Sequence, residues 1–326
     1  MQLVIDGYGK KLSRQENAFI IFSKEGRQKL SPAKIKSIVL TQGTMLTTDA
    51  IVLAVESGID IQVTGPAGDT VGRLWSHRFG SISTIRKGQL MFAEGPQRLP
   101  WVIEVLRTRF RQQKHFLKRL IPDRPGKKAM LEKACDQLED VLISLEELSI
   151  DTPEVEDGTL RGWEGKASRV YFQALSRIVP EIYAFNKRSR RPALDVFNCV
   201  LNYLYGILYG RVENALIRAG LDPYVGLFHR DDYNRPVFVF DVIERYRIWA
   251  EEVLLHLCFR KALDEDMFSR KNEGYWLERE GRQLVIFAMN EHLNEVTQHH
   301  NKRRSRLFHI QEDAHAFAQK MLYEGQ

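Results

Sequence analysis

Apolar residues along this chain follow two regimes. Up to about residue 85 they come in short runs, MQLVID, AFIIFS and IKSIVLTQ, rich in β-branched and aromatic residues and bounded by Gly, Ser, Asn and Pro. Such runs read as strands. TTDAIVLAVESG interrupts them with helical spacing; Thr47 or Thr48 can cap it and Gly58 can end it. IDIQVT and TVGRLW return to strand character on either side of GPAGD, which reads as a turn. From Trp101 onward the apolar residues recur at three- and four-residue steps. WVIEVLRTRFRQQKHFLKRL, KKAMLEKACDQLEDVLISLEEL, SRVYFQALSRIV, DVFNCVLNYLYGILYGRVENALIRAG, EEVLLHLCFRKAL, LVIFAMNEHLNEVTQ and the C-terminal segment all show it. That period predicts amphipathic helices. Between the regimes, GSISTIRKGQLMFAEGPQRLP has no clear period. The expected fold class is α+β. A small N-terminal β-sheet domain with one helix covers 1–85, a linker covers 86–100, and a larger, mostly α-helical domain covers 101–326. No internal repeat or low-complexity tract is present.

One stretch resists this scheme. GLFHRDDYNRPVFVFDVIERYR, Gly226 to Arg247, reads as two extended apolar pieces around the polar tip RDDYNR. A hairpin there brings His229 close to Asp241, and a helix starting at Asp241 places Glu244 three residues on, on the same face. Acids at the end of a buried run must be paired, hydrated or bound to something. Imidazole plus carboxylate suits Mn²⁺ or Mg²⁺. A buried, satisfied histidine and a helix-capping aspartate account for the same residues.

Composition narrows the classes. With 326 residues, 44% hydrophobic and 28% charged, the chain is an ordinary globular one of about two domains. No uncharged apolar run reaches membrane-spanning length, and MQLVIDGYGKKL does not read as a secretory signal. Cys135, Cys199 and Cys258 are far apart and form no CxxC pair, so neither a zinc cluster nor a disulfide framework is expected, and a cytoplasmic location fits. The net charge of +6 permits a polyanion partner without requiring one.

Candidate chemistry elsewhere is sparser. GPAGDTVG lacks nucleotide-loop spacing and reads as a hairpin turn. Glu164, in RGWEGKASRVYF, reads as an acid in the first turn of a helix. NKRSRRP, with Arg188, Arg190 and Arg191, and NKRRSR, with Lys302, Arg303 and Arg304, are dense basic runs. Together with Arg230 and Arg235 at the polar tip, they are the candidate contacts to a nucleic-acid backbone. Arg73, Arg78, Arg86 and Lys87 add charge near the linker. His299, His300, His309 and His315 lack shared-ligation spacing and read as surface or packing residues.

Three segments, GWEGKASRVYF, RRPALDVFNCVLNYLYGILYGRVENALIRAGLDPYVGLFH and FVFDVIERYR, together resemble the CRISPR-associated integrase of the spacer-acquisition machinery. The likeness covers about Gly162 to Arg247, and the N-terminal order of strands, helix and strands is also similar. It implies a metal-dependent DNA endonuclease that inserts spacers into CRISPR arrays by transesterification. Its metal ligands fall on Glu164, His229 and Glu244, where some members have Asp instead of Glu244. Asp241 matches a supporting acid, and Tyr171, Asn198 and Asn202 match positions that line or brace the site. A divalent cation, Mg²⁺ or Mn²⁺, is the implied cofactor. The implied partners are double-stranded DNA (prespacer and CRISPR repeat), a second copy of the chain joined through the β-domain, and a small ferredoxin-like adaptation subunit that completes a heterohexamer. Two other readings stand beside it: a nuclease of branched DNA in repair, which would share the metal site and differ in substrate, and a non-catalytic DNA-binding scaffold, which would keep the basic surface but not need Glu164, His229 and Glu244, so that their presence argues against it.

Overall fold

The computed structural model describes residues 2–65, 70–74, 82–148, 157–229, 235–299 and 302–324. The chain divides into two units, Met1–Gly80 and Ser81–Gln326. The first contains β1 (Gln2–Ile5), β2 (Lys11–Gln15), β3 (Ala18–Ser23), β4 (Gly26–Leu30), β5 (Ser37–Thr41), β6 (Met45–Leu46), α1 (Thr48–Glu56), β7 (Asp60–Thr64) and β8 (Thr70–Leu74). β1, β5 and β7 pair in parallel with β8 antiparallel at the edge, and a second sheet runs β4-β3-β2-β6. Leu3, Ile5, Leu12, Phe19, Ile38, Leu53 and Ile61 form the core of this unit. Of the two candidate caps, Thr47 does the capping. Its hydroxyl accepts the Ala50 N–H at 3.3 Å, and Gly58 leaves the helix at φ +65°, a conformation favoured by glycine.

The second unit contains α2 (Ile82–Glu94), α3 (Arg98–Leu120), α4 (Lys128–Glu146), α5 (Asp157–Ser176), α6 (Val196–Arg218), α7 (Val237–Ile243), α8 (Arg247–Phe259), β9 (Phe268–Lys271), β10 (Gly274–Leu277), α9 (Arg279–Asn294), β11 (Val296–His299), β12 (Lys302–Ser305) and α10 (Arg306–Glu324). α6 is buried around most of its circumference, and α7, α8, α9 and α10 pack against it. α2 crosses α10 so closely that a Cβ on Gly88 would stand 2.0 Å from the Met321 carbonyl oxygen. Only a residue without a side chain permits that approach. Cys135, Cys199 and Cys258 are buried and free. Among the described residues no helix is long and apolar enough to cross a membrane.

The structure departs from the sequence pattern in four places. Residues 86–100, expected as a linker, carry most of α2 and the start of α3. VFVFDVI is a helix, α7, not the second strand of a hairpin. It is buried on nearly all sides, and in so short an apolar run periodicity does not separate strand from helix. The helical pattern of LVIFAMNEHLNEVTQ ends at Asn294. Val296–His299 instead pairs with Lys302–Ser305 as a hairpin, so the NKRRSR run contributes a strand. Finally, β9 and β10 form a hairpin that the helical reading did not contain.

Candidate active site

α7 places Asp241 at the centre of the site. Its carboxylate is buried, 1% exposed, and collects four donors from the loop between α6 and α7. The N–H groups of Leu227 and Phe228 reach Oδ2 at 2.6 and 3.1 Å, and the His229 N–H reaches Oδ1 at 2.9 Å. The fourth is the His229 ring, whose Nδ1 lies 2.6 Å from Oδ1. On the carbonyl side, Arg98 donates to Leu227 O at 2.7 Å and Arg161 to Phe228 O at 3.1 Å. The chain entering His229 is thus held through both its N–H and its C=O groups. With Nδ1 engaged, the ring's other nitrogen is the one left for a ligand. A carboxylate behind the imidazole is the arrangement that fixes a metal-binding histidine.

Glu244 caps the C-terminus of α7 and is 2% exposed. Two arginines divide its oxygens. Arg247 Nε meets Oε1 at 2.6 Å and Arg109 Nη1 meets Oε2 at 2.5 Å. Arg109 Nη1 also meets Glu164 Oε1 at 2.9 Å. Two carboxylates from different elements, α5 and the end of α7, therefore converge on one nitrogen. Glu164 lies seven residues into α5, about two turns, so it is not the first-turn acid that the sequence suggested. Burial alone would push the Glu244 carboxyl up, but the charges of Arg109 and Arg247 outweigh it and hold Glu244 below its ordinary value. Burial alone would lower the His229 imidazolium. The hydrogen bond and charge of Asp241, then the charges of Glu164 and Glu244, raise it above the ordinary value of 6.5.

These donors fit a hard divalent cation. Glu164 Oε1 and Glu244 Oε2 already aim at one point, and Glu244 Oε2 is buried with no hydrogen bond of good geometry. Carboxylate oxygens with one imidazole are a donor set such ions accept. Among the described residues, however, no three His, Cys, Asp or Glu side chains are grouped to hold one ion. The guanidinium of Arg109 stands where the two glutamates meet.

A polar layer supports the site. Arg247 donates to Tyr209 Oη at 3.1 Å and lies over the Tyr205 ring. The Tyr205 hydroxyl donates to Glu251 Oε1 at 2.6 Å. Tyr171 is fully buried beside the same acid, and burial, then the Glu251 charge, hold its hydroxyl well above its ordinary value. Asn198 and Asn202 brace a neighbouring loop. Asn198 accepts from Ser189 N–H at 3.1 Å and donates to Lys187 O at 2.9 Å. Asn202 donates to Ser189 O and Arg190 O at 3.1 and 3.0 Å. Both amides also take the Arg188 guanidinium, which lies over the Phe172 and Tyr205 rings.

The candidate DNA contacts therefore divide. Arg188 is committed to this packing. Arg190 and Arg191 are exposed on the loop that the asparagines hold, Arg235 is exposed ahead of α7, and Arg303 and Arg304 are exposed on β12. Arg230 and most of the RDDYNR tip lie outside the described residues, as do Arg78, His300 and the Lys302 side chain. His309 is buried beside Thr297 O at 3.2 Å and serves packing. Sequence reasoning missed Arg109, Arg247, Arg98, Arg161 and Glu251. One signal was available. Arg109 shares a helical face with Val102, Leu106, Phe110, Gln113 and Phe116, all buried, where a charge demands a partner.

A model of the family "CRISPR associated protein Cas1" matches residues 3–291. The chain is 29% identical to "CRISPR-associated endonuclease Cas1 1" of Archaeoglobus fulgidus over 315 residues, which is 93% of this chain and 91% of that protein. It is 28% identical to "CRISPR-associated protein Cas1 3" of Methanobrevibacter ruminantium over 295 residues, 88% of this chain and 86% of that protein. Among solved structures, the fold is similar to a "Casposase bound to integration product", with TM-score 0.83 and 21% identity, covering 98% of this chain and 91% of that one. It is also similar to the Thermotoga maritima CAS1 protein TM1797, with TM-score 0.82 and 19% identity, covering 98% and 97%.

Proposed function

Because this chain belongs to the Cas1 family of CRISPR-associated proteins, we propose that it is the integrase of spacer acquisition and works by metal-dependent transesterification. The observation that carries the reading is the convergence of Glu164 and Glu244 on one point, beside a histidine held through its Nδ1. In the reaction, the 3′-oxygen of the incoming DNA forms a bond to a phosphorus at the leader–repeat junction. The bond from that phosphorus to the array's own 3′-oxygen breaks, and the attacking hydroxyl gives up its proton as the departing oxygen gains one. Glu164, His229 and Glu244 would hold Mg²⁺ or Mn²⁺, which when bound polarises a phosphoryl oxygen. Asp241 keeps the His229 ring in one tautomer and orientation. Arg247, anchored by Tyr209, fixes the direction of the Glu244 carboxylate. The exposed arginines of β12 and of the 187–191 loop hold duplex backbone. A second copy of the chain and a small adaptation subunit complete the assembly; one solved structure with this fold is named a "Cas6-RT-Cas1--Cas2 complex".

The test is strand transfer. Purified protein with the small adaptation subunit, Mn²⁺ or Mg²⁺, a labelled duplex with free 3′-hydroxyls and a supercoiled plasmid carrying a repeat array should yield label covalently joined to the plasmid. Glu164→Ala and His229→Ala should abolish joining while still binding duplex. Nicking without joining would instead favour a branched-DNA nuclease. DNA binding without either activity would favour a scaffold.

A further inference from the structure

We propose that Arg109 is a built-in counter-cation of the metal site, standing between Glu164 and Glu244 until a divalent ion displaces it. The inference rests on the metal-site reading above. The ion pairs of Arg109 to both glutamates run through a single nitrogen, Nη1, at 2.9 and 2.5 Å. A cation held by both carboxylates would need the place that this nitrogen takes, and two like-charged cations do not share it.

The two arginines at Glu244 differ in how they are anchored. Arg247 is fastened independently: it donates to Tyr209 Oη and lies over the Tyr205 ring. Arg109 Nε is buried with no hydrogen bond among the described residues, so its hold on the site there is the two glutamates themselves. Arg247 therefore stays to orient Glu244, and Arg109 is the group that exchanges. Entry is from the Glu164 side, because that side chain is 24% exposed while Glu244 is 2% exposed. The arrangement also explains how two glutamates stay converged without an ion. A positive charge between them cancels the repulsion that would otherwise drive them apart.

The test compares Mn²⁺ affinity of the metal-free, DNA-free full chain by titration calorimetry, with free Mn²⁺ checked by paramagnetic resonance. Removing the competitor with Arg109→Gln should tighten Mn²⁺ about tenfold or more. Arg109→Lys, which keeps the charge, should stay near wild type. Equal or weaker binding by Arg109→Gln overturns the proposal. If that variant does not fold, a Mn²⁺-soaked crystal of the wild-type chain decides: Arg109 still bridging both glutamates beside a bound ion refutes exchange. His229→Ala separates the two readings. Mn²⁺ bound by wild type and lost in His229→Ala keeps the metal site, whatever Arg109 does. No Mn²⁺ binding by the wild type overturns both.

Discussion

Replacing Asp241 by Asn tests the central positioning claim with almost no change of shape. The wild-type carboxylate accepts four hydrogen bonds, three from backbone N–H groups and one from the His229 ring, at 2.6 to 3.1 Å. An amide oxygen has two lone pairs, and the amide nitrogen is a donor facing donors. Roughly two charge-assisted bonds are lost, each worth ~1.5–3 kcal/mol. The expected destabilisation is therefore ~3–6 kcal/mol. For a unit as long as Ser81–Gln326, that lowers Tm by roughly 6–24 °C. Catalysis should suffer separately. An amide nitrogen donating to Nδ1 would move the ring proton to the other nitrogen, the one needed for a metal, and loss of such a partner typically costs 10–100-fold in metal affinity or activity. The assay is calorimetric melting in chelator, then Mn²⁺ titration and strand transfer at 25 °C, checking first that the variant is still folded at that temperature. An Asp241→Asn protein melting within ~2 °C of wild type and binding Mn²⁺ normally would refute the reasoning.

Glu251 should show the opposite sign. Burial pushes its carboxyl up, and the hydrogen bond from Tyr205 and the charges of Arg109 and Arg247 only partly offset this. With the folded value raised, its stability contribution is fully present below the ordinary 4.5 and is lost as pH rises through the folded value. Glu251→Gln should thus gain in Tm relative to wild type as pH climbs from 4.5 to 8, and a difference that stays flat with pH would contradict the assignment. Removing Arg303 and Arg304 together should weaken duplex binding and reduce the slope of log K against log salt by about 1 to 2; an unchanged slope would remove them from the phosphate contacts.

How much of this was legible depended on what each residue needed to be understood. The apolar strands β1, β3, β5, β7 and β8 and the long helices were readable because the apolar period is a local property, and so was the α1 cap; the more polar β2 and β4 and the two-residue β6 were not. The α7 helix was not, since in VFVFDVI both faces are buried and its length fits either structure. His229 and Glu244 were candidates from spacing and residue type, but joining Glu164 to them came only through the ordered resemblance of three segments. Spacing alone put His229 near Asp241 but supplied the wrong backbone, a hairpin in place of a loop clamped onto a helix. Asn198 and Asn202 came through the same resemblance, yet what they grip, the backbone of residues 187–190 and Arg188, is tertiary and has no sequence signature.

The charges inside the apolar pattern argue the last point. Arg109 on α3, and Arg247 and Glu251 on α8, occupy positions where packing alone would select leucine. All are buried, and an isolated buried charge is too costly to persist. Each must therefore have a partner, and that requirement can be read from one helix at a time before any fold is known. The identity of the partner cannot be read so, because Arg109 answers to Glu164 on α5 and to Glu244 beyond α7, which are separated from it along the chain by whole helices. Sequence periodicity thus marks where a polar site must lie within a helical unit. Deciding whether the site is a structural ion-pair network or a metal centre falls to geometry. Two carboxylates sharing a single nitrogen of an arginine with no further hydrogen-bond partner among the described residues, beside a rigidly held imidazole, favour the metal centre, whereas Arg247, tied to Tyr209 and Glu244 alike, is the structural part.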